Sequence, residues 1–402
     1  MPGSKVRSHA RLIQAAAVLL VLAATLVPEG DRPGGLRLCF LCAEHGLSEF
    51  LLNVLLFVPL GLVLAWSGHT LRRALLRGAL LSVAIECSQW FIPGRFPSPE
   101  DVVANSLGTL VGAMLFLGAA AIVDPPPHRR ARMTVSAALL ALLVPVLTAL
   151  LVRPSFPPAV WFGQWTQRQS AFAAYRGFLI DASMPGMPLR SMRLTHSGAA
   201  RESLLAGTHI RLGGVAGPEP RSPAPLFNIA DDAQRFDLMV LVMRQGIDLR
   251  YRTAAEDLRL TSVDLRFPDA LGGLRAGDTL ALEVWRAGPR WCIAAPSGTA
   301  CQGANAASLW RMLSPQVVPP NAAVDVLWMA ILFLPLAYWG VGAARATGIA
   351  AALLTLVILP FFPGGPAASL LPLAGAVAGS ALGLGLSAAR TRHLLRRGTI
   401  PA

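Results

Sequence analysis

The residues best suited to chemistry are carboxylates and carboxamides inside otherwise apolar stretches. Glu86 and Gln89 interrupt one apolar run, and Asp101 and Asn105 open the next one. Such groups are costly in hydrocarbon, so they usually face the interior of a helix bundle and pair with one another. Two carboxylates at this spacing also suit a general acid and base. We therefore look for function within residues 48–116.

Helical spacing predicts that these side chains form two short polar stripes at one depth. Residues three or four apart share a helix face, so Glu86 and Gln89 point the same way, as do Asp101 and Asn105. An isolated carboxylate there would be expensive, so Glu86 should be hydrogen-bonded or protonated. The predicted polar cluster consists of Asn53, Glu86, Gln89, Arg95, Asp101 and Asn105.

Two glycines extend the stripe of the second helix. Gly108 and Gly112 continue the face that carries Asp101 and Asn105. Small residues four apart let neighbouring helices approach closely in a membrane. We therefore predict a helix contact at both glycines, which lets the polar stripes meet.

The elements that must position these residues are membrane-spanning helices. The chain is 54% hydrophobic and only 14% charged. Its apolar residues fall in runs of about 18 or more, enough to cross a bilayer core. A signal peptide is the alternative for the first run, although no small-x-small cleavage site precedes the next segment. We predict an α-helical polytopic protein with spans near residues 10–27, 47–66, 74–92, 101–123, 134–152, 322–343, 347–362 and 367–388.

The net charge of +13 follows the order of these runs. Arginine and lysine clusters occupy alternate loops and both ends of the chain, which is the positive-inside pattern of an even-span protein with cytoplasmic termini. This placement argues against nucleic acid as a partner and leaves some attraction to anionic lipid. We predict a plasma membrane protein in which residues 153–320 lie outside and the polar cluster lies in the outer half of the bilayer.

Residues 153–320 contain no spanning run and have mixed charges. In residues 247–252 the apolar positions alternate, which places Ile247, Leu249 and Tyr251 on one face. Many short strands with turn residues between them predict an inserted all-β sandwich. The candidate strands are Leu189–Thr195, His209–Leu212, Phe236–Met243, Ile247–Arg252, Ser262–Phe267, Thr279–Trp285 and Arg290–Ala294.

Proline-rich stretches near residues 154 and 320 separate this segment from the apolar runs. We therefore predict a transmembrane domain of five spans at 10–152, an extracytoplasmic β-sandwich at 153–320 and a C-terminal transmembrane domain of three spans at 321–390.

The cysteines indicate an oxidising compartment. Cys292 and Cys301 close a short loop in the external segment, and we predict a disulfide between them. Cys39 and Cys42 form a CxxC with three interpretations: a disulfide, half of a metal site, or free thiols. A zinc site needs about four ligands, and only His45 lies nearby. We predict neither a metal nor a cofactor.

The polar cluster has a structural interpretation as well as functional ones. It can be a hydrogen-bonded joint between helices, a binding site, or a catalytic site, but no nucleophile or metal set accompanies the carboxylates. The pattern favours a binding protein over an enzyme. We predict a membrane lipid or lipid-linked glycan as partner, and a carbohydrate or protein ligand for the external domain. The alternatives are an enzyme acting on a lipid head group and a scaffold for cell-wall or polysaccharide machinery.

At its polar residues the chain resembles the VanZ-like family of bacterial membrane proteins. The resemblance covers roughly residues 12–123. Low-level resistance to the glycopeptide antibiotic teicoplanin is associated with the family's namesake, so the resemblance implies a role in the cell envelope linked to antibiotic resistance. The motifs that carry it are Asn53 to Gly61, Glu86-x-x-Gln89 with Ile92-Pro93-Gly94-Arg95, and Asp101-Val102-Val103-Ala104-Asn105-Ser106-Leu107-Gly108-x-x-x-Gly112.

The external segment is similar to concanavalin A-like jelly rolls of the laminin-G type. The similarity lies in residues 225–231, 236–238 and 246–253, which match successive strands of that fold. It implies a jelly-roll sandwich that binds sugar or protein.

Overall fold

The computed structural model describes residues 4–28, 43–166, 172–314, 316–362 and 364–396. The chain divides into two compact units, the first made of residues 1–129 with 313–315 and the second of residues 130–312 with 316–402. The domain boundaries predicted at residues 152 and 320 stay predictions.

The first unit is a bundle of apolar helices. Apolar side chains of α1, α2, α3 and α4 form its core, in which Phe57 and Ile85 are almost completely buried. The helices are α1 (Ser4–Thr25), α2 (Gly46–Trp66), α3 (Leu71–Gln89), α4 (Pro99–Leu117) and the short α5 (Ala119–Val123).

Helices occur at all eight predicted spans, and within the described residues six are long and apolar enough to cross a membrane. Two predicted spans fall short of that standard. The apolar part of α1 covers only Leu12–Thr25, and α3 carries three arginines and Glu86, which lower its mean hydropathy. The predicted class, a multi-pass α-helical membrane protein with an inserted β-sandwich, is confirmed.

The second unit begins with α6 (Pro127–Leu151) and continues into two antiparallel sheets. Their order is β1-β5-β6-β7-β8 in one sheet and β11-β10-β9-β4-β2-β3 in the other. The strands are β1 (Phe162–Trp165), β2 (Phe178–Met184), β3 (Met187–Pro188), β4 (Ile210–Val215), β5 (Ala224–Ala230), β6 (Phe236–Val242), β7 (Ile247–Tyr251), β8 (Asp264–Phe267), β9 (Thr279–Ala287), β10 (Arg290–Ala295) and β11 (Gly298–Gln302).

Side chains from both sheets form one core between them, so the segment is a β-sandwich. The alternation predicted for β7 is confirmed, since Ile247, Leu249 and Tyr251 all lie in this core. The strand predicted at Leu189–Thr195 is wrong: only a single bridge at Arg193 occurs there. The connections of the unit carry three short helices, α7 (Ser197–Ala206), α8 (Ala254–Asp257) and α9 (Leu309–Met312).

The predicted disulfide between Cys292 and Cys301 is confirmed. The two residues face each other across the β10–β11 pair, so the bond closes a hairpin. The CxxC of Cys39 and Cys42 lies outside the described residues.

Three helices end the second unit: α10 (Ala322–Trp339), α11 (Gly342–Ile358) with a 3₁₀ turn (Leu359–Phe361), and α12 (Leu370–Arg396). Helices α10 and α12 pack closely through glycine. A Cβ atom at Gly375, Gly379 or Gly383 would lie within 2.5 Å of a carbonyl oxygen of α10. Gly385 has open space in the Cβ direction.

Candidate functional site

A short connection joins the end of α3 to the start of α4 and fixes Glu86. Ser98 caps α4, its hydroxyl accepting a hydrogen bond from the Glu100 N–H at 3.3 Å. Pro99 follows at the first helical position, where its fixed φ favours helix initiation. The backbone N–H of Ser98 donates to Oε2 of Glu86 at 2.8 Å. The carboxylate is thereby tied to the turn that begins α4.

A second polar contact joins α2 to α4. Asn53 donates through Nδ2 to Oδ1 of Asp101 at 2.6 Å. Asp101 lies in the first turn of α4, where the positive end of the helix dipole stabilises a carboxylate. This contact is a direct hydrogen bond between two members of the predicted cluster.

A third contact, one turn further along, joins α3 to α4. Asn105 donates through Nδ2 to the hydroxyl of Ser82 at 2.8 Å, and both residues are buried. The backbone carbonyl of Asn105 accepts from Thr109 at 3.0 Å. Oδ1 of Asn105 is buried without a hydrogen-bond partner in the described chain.

Gln89 and Arg95 also contact the end of α1. Gln89 donates to the carbonyl of Thr25 at 3.0 Å. Arg95 donates through Nε to the carbonyl of Val27 at 2.9 Å. These two members of the predicted cluster hold the first helix against the bundle.

Glu86, Gln89 and Asn105 thus each bind a partner outside the predicted cluster, whereas Asn53 and Asp101 bind each other. Ser82, Ser98 and Thr25, which supply three of the partners, were missed by the sequence analysis. Ser98 and Thr25 contribute backbone groups, which every residue carries, so their side chains give no signal of these contacts. Ser82 contributes its hydroxyl, but a serine in an apolar helix can return that bond to its own helix, so its presence does not mark a contact. Ser98 had a local signal of a different kind, because Ser-Pro-Glu opening an apolar run is typical of a capped helix start.

The Glu86 carboxylate keeps one oxygen uncommitted. Its side chain lies inside the bundle, and the residue is 8% exposed. Oε2 is bound by the Ser98 N–H, and no other described residue donates a hydrogen bond to the carboxylate. Oε1 accepts no hydrogen bond from a described residue, and it is not fully enclosed by protein atoms. Asp101 and Arg95 lie within electrostatic range of this carboxylate. Glu86 can therefore accept a further hydrogen bond from a donor that reaches the end of the bundle.

The close approach of α2 and α4 depends on three glycines. A Cβ atom at Gly108 would lie 2.1 Å from the Val54 carbonyl oxygen, and one at Gly112 would lie 2.0 Å from that of Val58. On the facing helix, a Cβ atom at Gly61 would lie 2.1 Å from the carbonyl oxygen of Thr109. The two backbones are in direct contact beneath the Asn53–Asp101 pair.

A search of the described residues finds no group of three or more His, Cys, Asp or Glu side chains that could hold a metal ion. The polar groups described at this end of the bundle are carboxylates, carboxamides, a serine hydroxyl and a guanidinium.

One family model matches a part of the chain that lies within the first unit. The family model described as VanZ/LLP1 matches residues 10–122. No curated protein and no solved structure matches the chain significantly. The match spans the polar contacts and the glycine contact just described, while the sandwich and the last three helices lie outside it. Residues 10–122 are therefore a VanZ-like domain within a multi-pass membrane protein whose chain continues into a β-sandwich.

Proposed function

We propose that the VanZ-like domain engages the head group of a lipid or lipid-linked glycan at the outer leaflet, with Glu86 as the principal acceptor. The observation that carries this proposal is the half-satisfied carboxylate: one oxygen is fixed by the Ser98 N–H, and the other accepts no hydrogen bond from any described residue. An acceptor held in this way, with low exposure, favours a ligand that donates hydrogen bonds.

Hydroxyl groups are the donors that such a site favours. A hydrogen bond to an ionised carboxylate is stronger than one between neutral groups. Sugar and polyol head groups present several hydroxyls at the level where membrane helices end. Arg95 is within electrostatic range of Glu86 and adds a cation nearby.

Binding at the outer leaflet requires the orientation that the arginine pattern predicts, with both termini in the cytoplasm. Reporter fusions after Arg130 and Gly272 test it. We expect a cytoplasmic signal from the first and an external signal from the second. The reverse result would exclude an outer-leaflet site at Glu86.

A substitution that removes the charge and keeps the shape tests the role of Glu86. We expect Glu86→Gln to weaken ligand binding about 10- to 100-fold, because a hydrogen bond to a charged group contributes about 1.5–3 kcal/mol. The measurement is quantitative mass spectrometry of lipids that copurify with the full-length protein, normalised to protein amount.

Glu44→Gln is the matched control. Glu44 is exposed and lies just before α2, so the same change in charge leaves the Glu86 site intact. Equal retention of every copurifying lipid by both variants would contradict the proposal. Loss of folded Glu86→Gln protein before any loss of lipid would instead indicate a structural joint.

Two further expectations stay proposals. The sandwich is proposed to bind a carbohydrate or protein outside the cell, and the link to teicoplanin resistance rests on the resemblance of the first domain to its family. Deletion of the gene, complemented by wild type or Glu86→Gln, tests that link through the inhibitory concentration of teicoplanin.

A further inference from the structure

A cavity of about 390 Å³ lies within the second unit, where the sandwich meets the starts of α10 and α12. Its walls include Arg266 and Arg290 from the strands, Arg311 from α9, and Asp325 from α10. Ligand sites in proteins are typically concavities of about 300–1,000 Å³. None of the residues that line this cavity belongs to the VanZ-like domain.

Arg311 is a buried cation with no carboxylate at ion-pair distance among the described residues, although Asp325 and Asp264 lie within electrostatic range. It is 3% exposed, and its Nη1 donates to the backbone carbonyl of Asp264 at 3.2 Å. Its Nε has no hydrogen-bond partner, and no carboxylate of the described residues forms an ion pair with it. Burying an uncompensated charge costs several kcal/mol, whereas a paired and hydrogen-bonded one is tolerated. The guanidinium can therefore bind an anionic ligand at the cavity.

The other two arginines differ in their pairing. Arg266 forms two hydrogen bonds with the Asp248 carboxylate, each 3.0 Å long, so its charge is neutralised. Arg290 is exposed at the cavity and has no ion pair among the described residues. Arg290 can therefore reach a ligand that also contacts Arg311.

One carboxylate lines the cavity, but its oxygens are occupied. Asp325 accepts from Nδ2 of Asn305 at 2.9 Å and from Nε1 of Trp310 at 2.7 Å. Against this single negative charge stand Arg290 and Arg311, so the lining keeps one net positive charge after Asp248 has neutralised Arg266. The cavity therefore favours an anion.

The starts of two long helices add to this preference. Ala322 of α10, and Ser369 and Leu371 at the start of α12, all line the cavity. The amino ends of helices carry partial positive charge and attract phosphates. Both helices have the length and apolarity of membrane spans, so their first turns lie at the level of the lipid head groups.

We propose that this cavity binds the phosphate group of an anionic phospholipid, with Arg311 and Arg290 as its cationic ligands. Arginine suits this role because its planar guanidinium binds phosphate oxygens in pairs. The bound phosphate would pair with Arg311 and anchor the sandwich to the membrane surface at the point where α10 begins. This site is separate from Glu86, and neither proposal depends on the other.

Native mass spectrometry of the full-length protein with short-chain phosphatidylglycerol tests the site. We expect the dissociation constant to rise at least 10-fold in Arg311→Gln and about 3- to 10-fold in Arg290→Gln, in line with the loss of one charged hydrogen-bonding partner. Arg275→Gln, which changes an exposed arginine outside the cavity, should bind as wild type does. Should Arg311→Gln fail to fold, the dissociation constants of Arg290→Gln and Arg275→Gln are compared instead, and only the first should exceed that of wild type.

Two outcomes would overturn the proposal. Equal affinity of the Arg290→Gln, Arg311→Gln and Arg275→Gln variants for phosphatidylglycerol would remove the cavity from lipid binding. Inorganic phosphate that binds as tightly as phosphatidylglycerol and displaces it would show that free phosphate, rather than a lipid, is the ligand. If inorganic phosphate fails to displace bound phosphatidylglycerol, the result supports the lipid as the ligand.

Discussion

Replacing Gly112 by valine should remove most folded protein from the membrane. A Cβ atom at this position would lie 2.0 Å from the carbonyl oxygen of Val58 and 2.9 Å from the Leu62 nitrogen. Both atoms belong to the backbone of α2, so neither can move without shifting that helix. Overpacking a close contact costs about 1–3 kcal/mol and sometimes more, and here it would separate the two helices that hold the Asn53–Asp101 pair. We expect at least a 10-fold loss of monodisperse protein.

Gly385→Val is the matched control for this experiment. Gly385 also lies within a long apolar helix, but a Cβ atom there would meet no atom within 4 Å. Both substitutions change the intrinsic helix propensity equally, so a difference between them reports the helix contact. Fluorescence-detected size-exclusion chromatography of membrane extracts gives the measurement. Equal monodisperse peaks from the two variants would contradict a packing role for Gly112.

The sequence predicted the membrane helices because their signal is long and local. It also placed glycine on the α4 face that carries the polar residues, and the structure has Gly108 and Gly112 against α2. It did not predict which polar groups bind each other. Glu86 and Asn105 contact Ser98 and Ser82 rather than other cluster members, and the choice depends on the rotation of each helix, which spacing alone does not give.

The strands of the sandwich were harder to predict from the sequence for a different reason. Almost every residue of β5 and β6 is buried, on both faces of the sheet. Such strands lack the alternation of apolar and polar residues that marks a half-buried strand, so the sequence does not reveal that both of their faces are buried. The cavity that Arg290, Arg311 and Asp325 line combines positions far apart in the chain. No local pattern could bring them together before the fold was known.

One face of β6 carries a buried carboxylate with an unusual environment. Asp237 is completely buried, and neither of its oxygens has a hydrogen-bond partner among the described residues. Burial, opposed by Arg252 and Arg235 and assisted by Asp231, raises the pKa of Asp237 to about 7. The side chain is therefore neutral in acid and charged only above neutral pH.

The sandwich should consequently lose stability as the pH rises from about 4 to about 7, since the unfolded chain releases the Asp237 proton near pH 3.9 and the folded chain only near pH 7. Below that window the carboxyl is protonated in both states and has no effect; above it the loss is complete. A difference of about three pKa units corresponds to about 4 kcal/mol.

Asp237→Asn should remove this pH dependence, because the amide has a similar shape and does not ionise. Near pH 4 the variant and wild type should be close in stability, whereas at pH 8 the variant should unfold at a higher urea concentration. Pulse proteolysis of the full-length protein in detergent, read on fragments of residues 153–320, measures both midpoints. Asp232→Asn changes an exposed carboxylate of the preceding turn and should keep the wild-type pH dependence. If wild type and Asp237→Asn show the same change between pH 4 and pH 8, Asp237 does not control the stability of the sandwich.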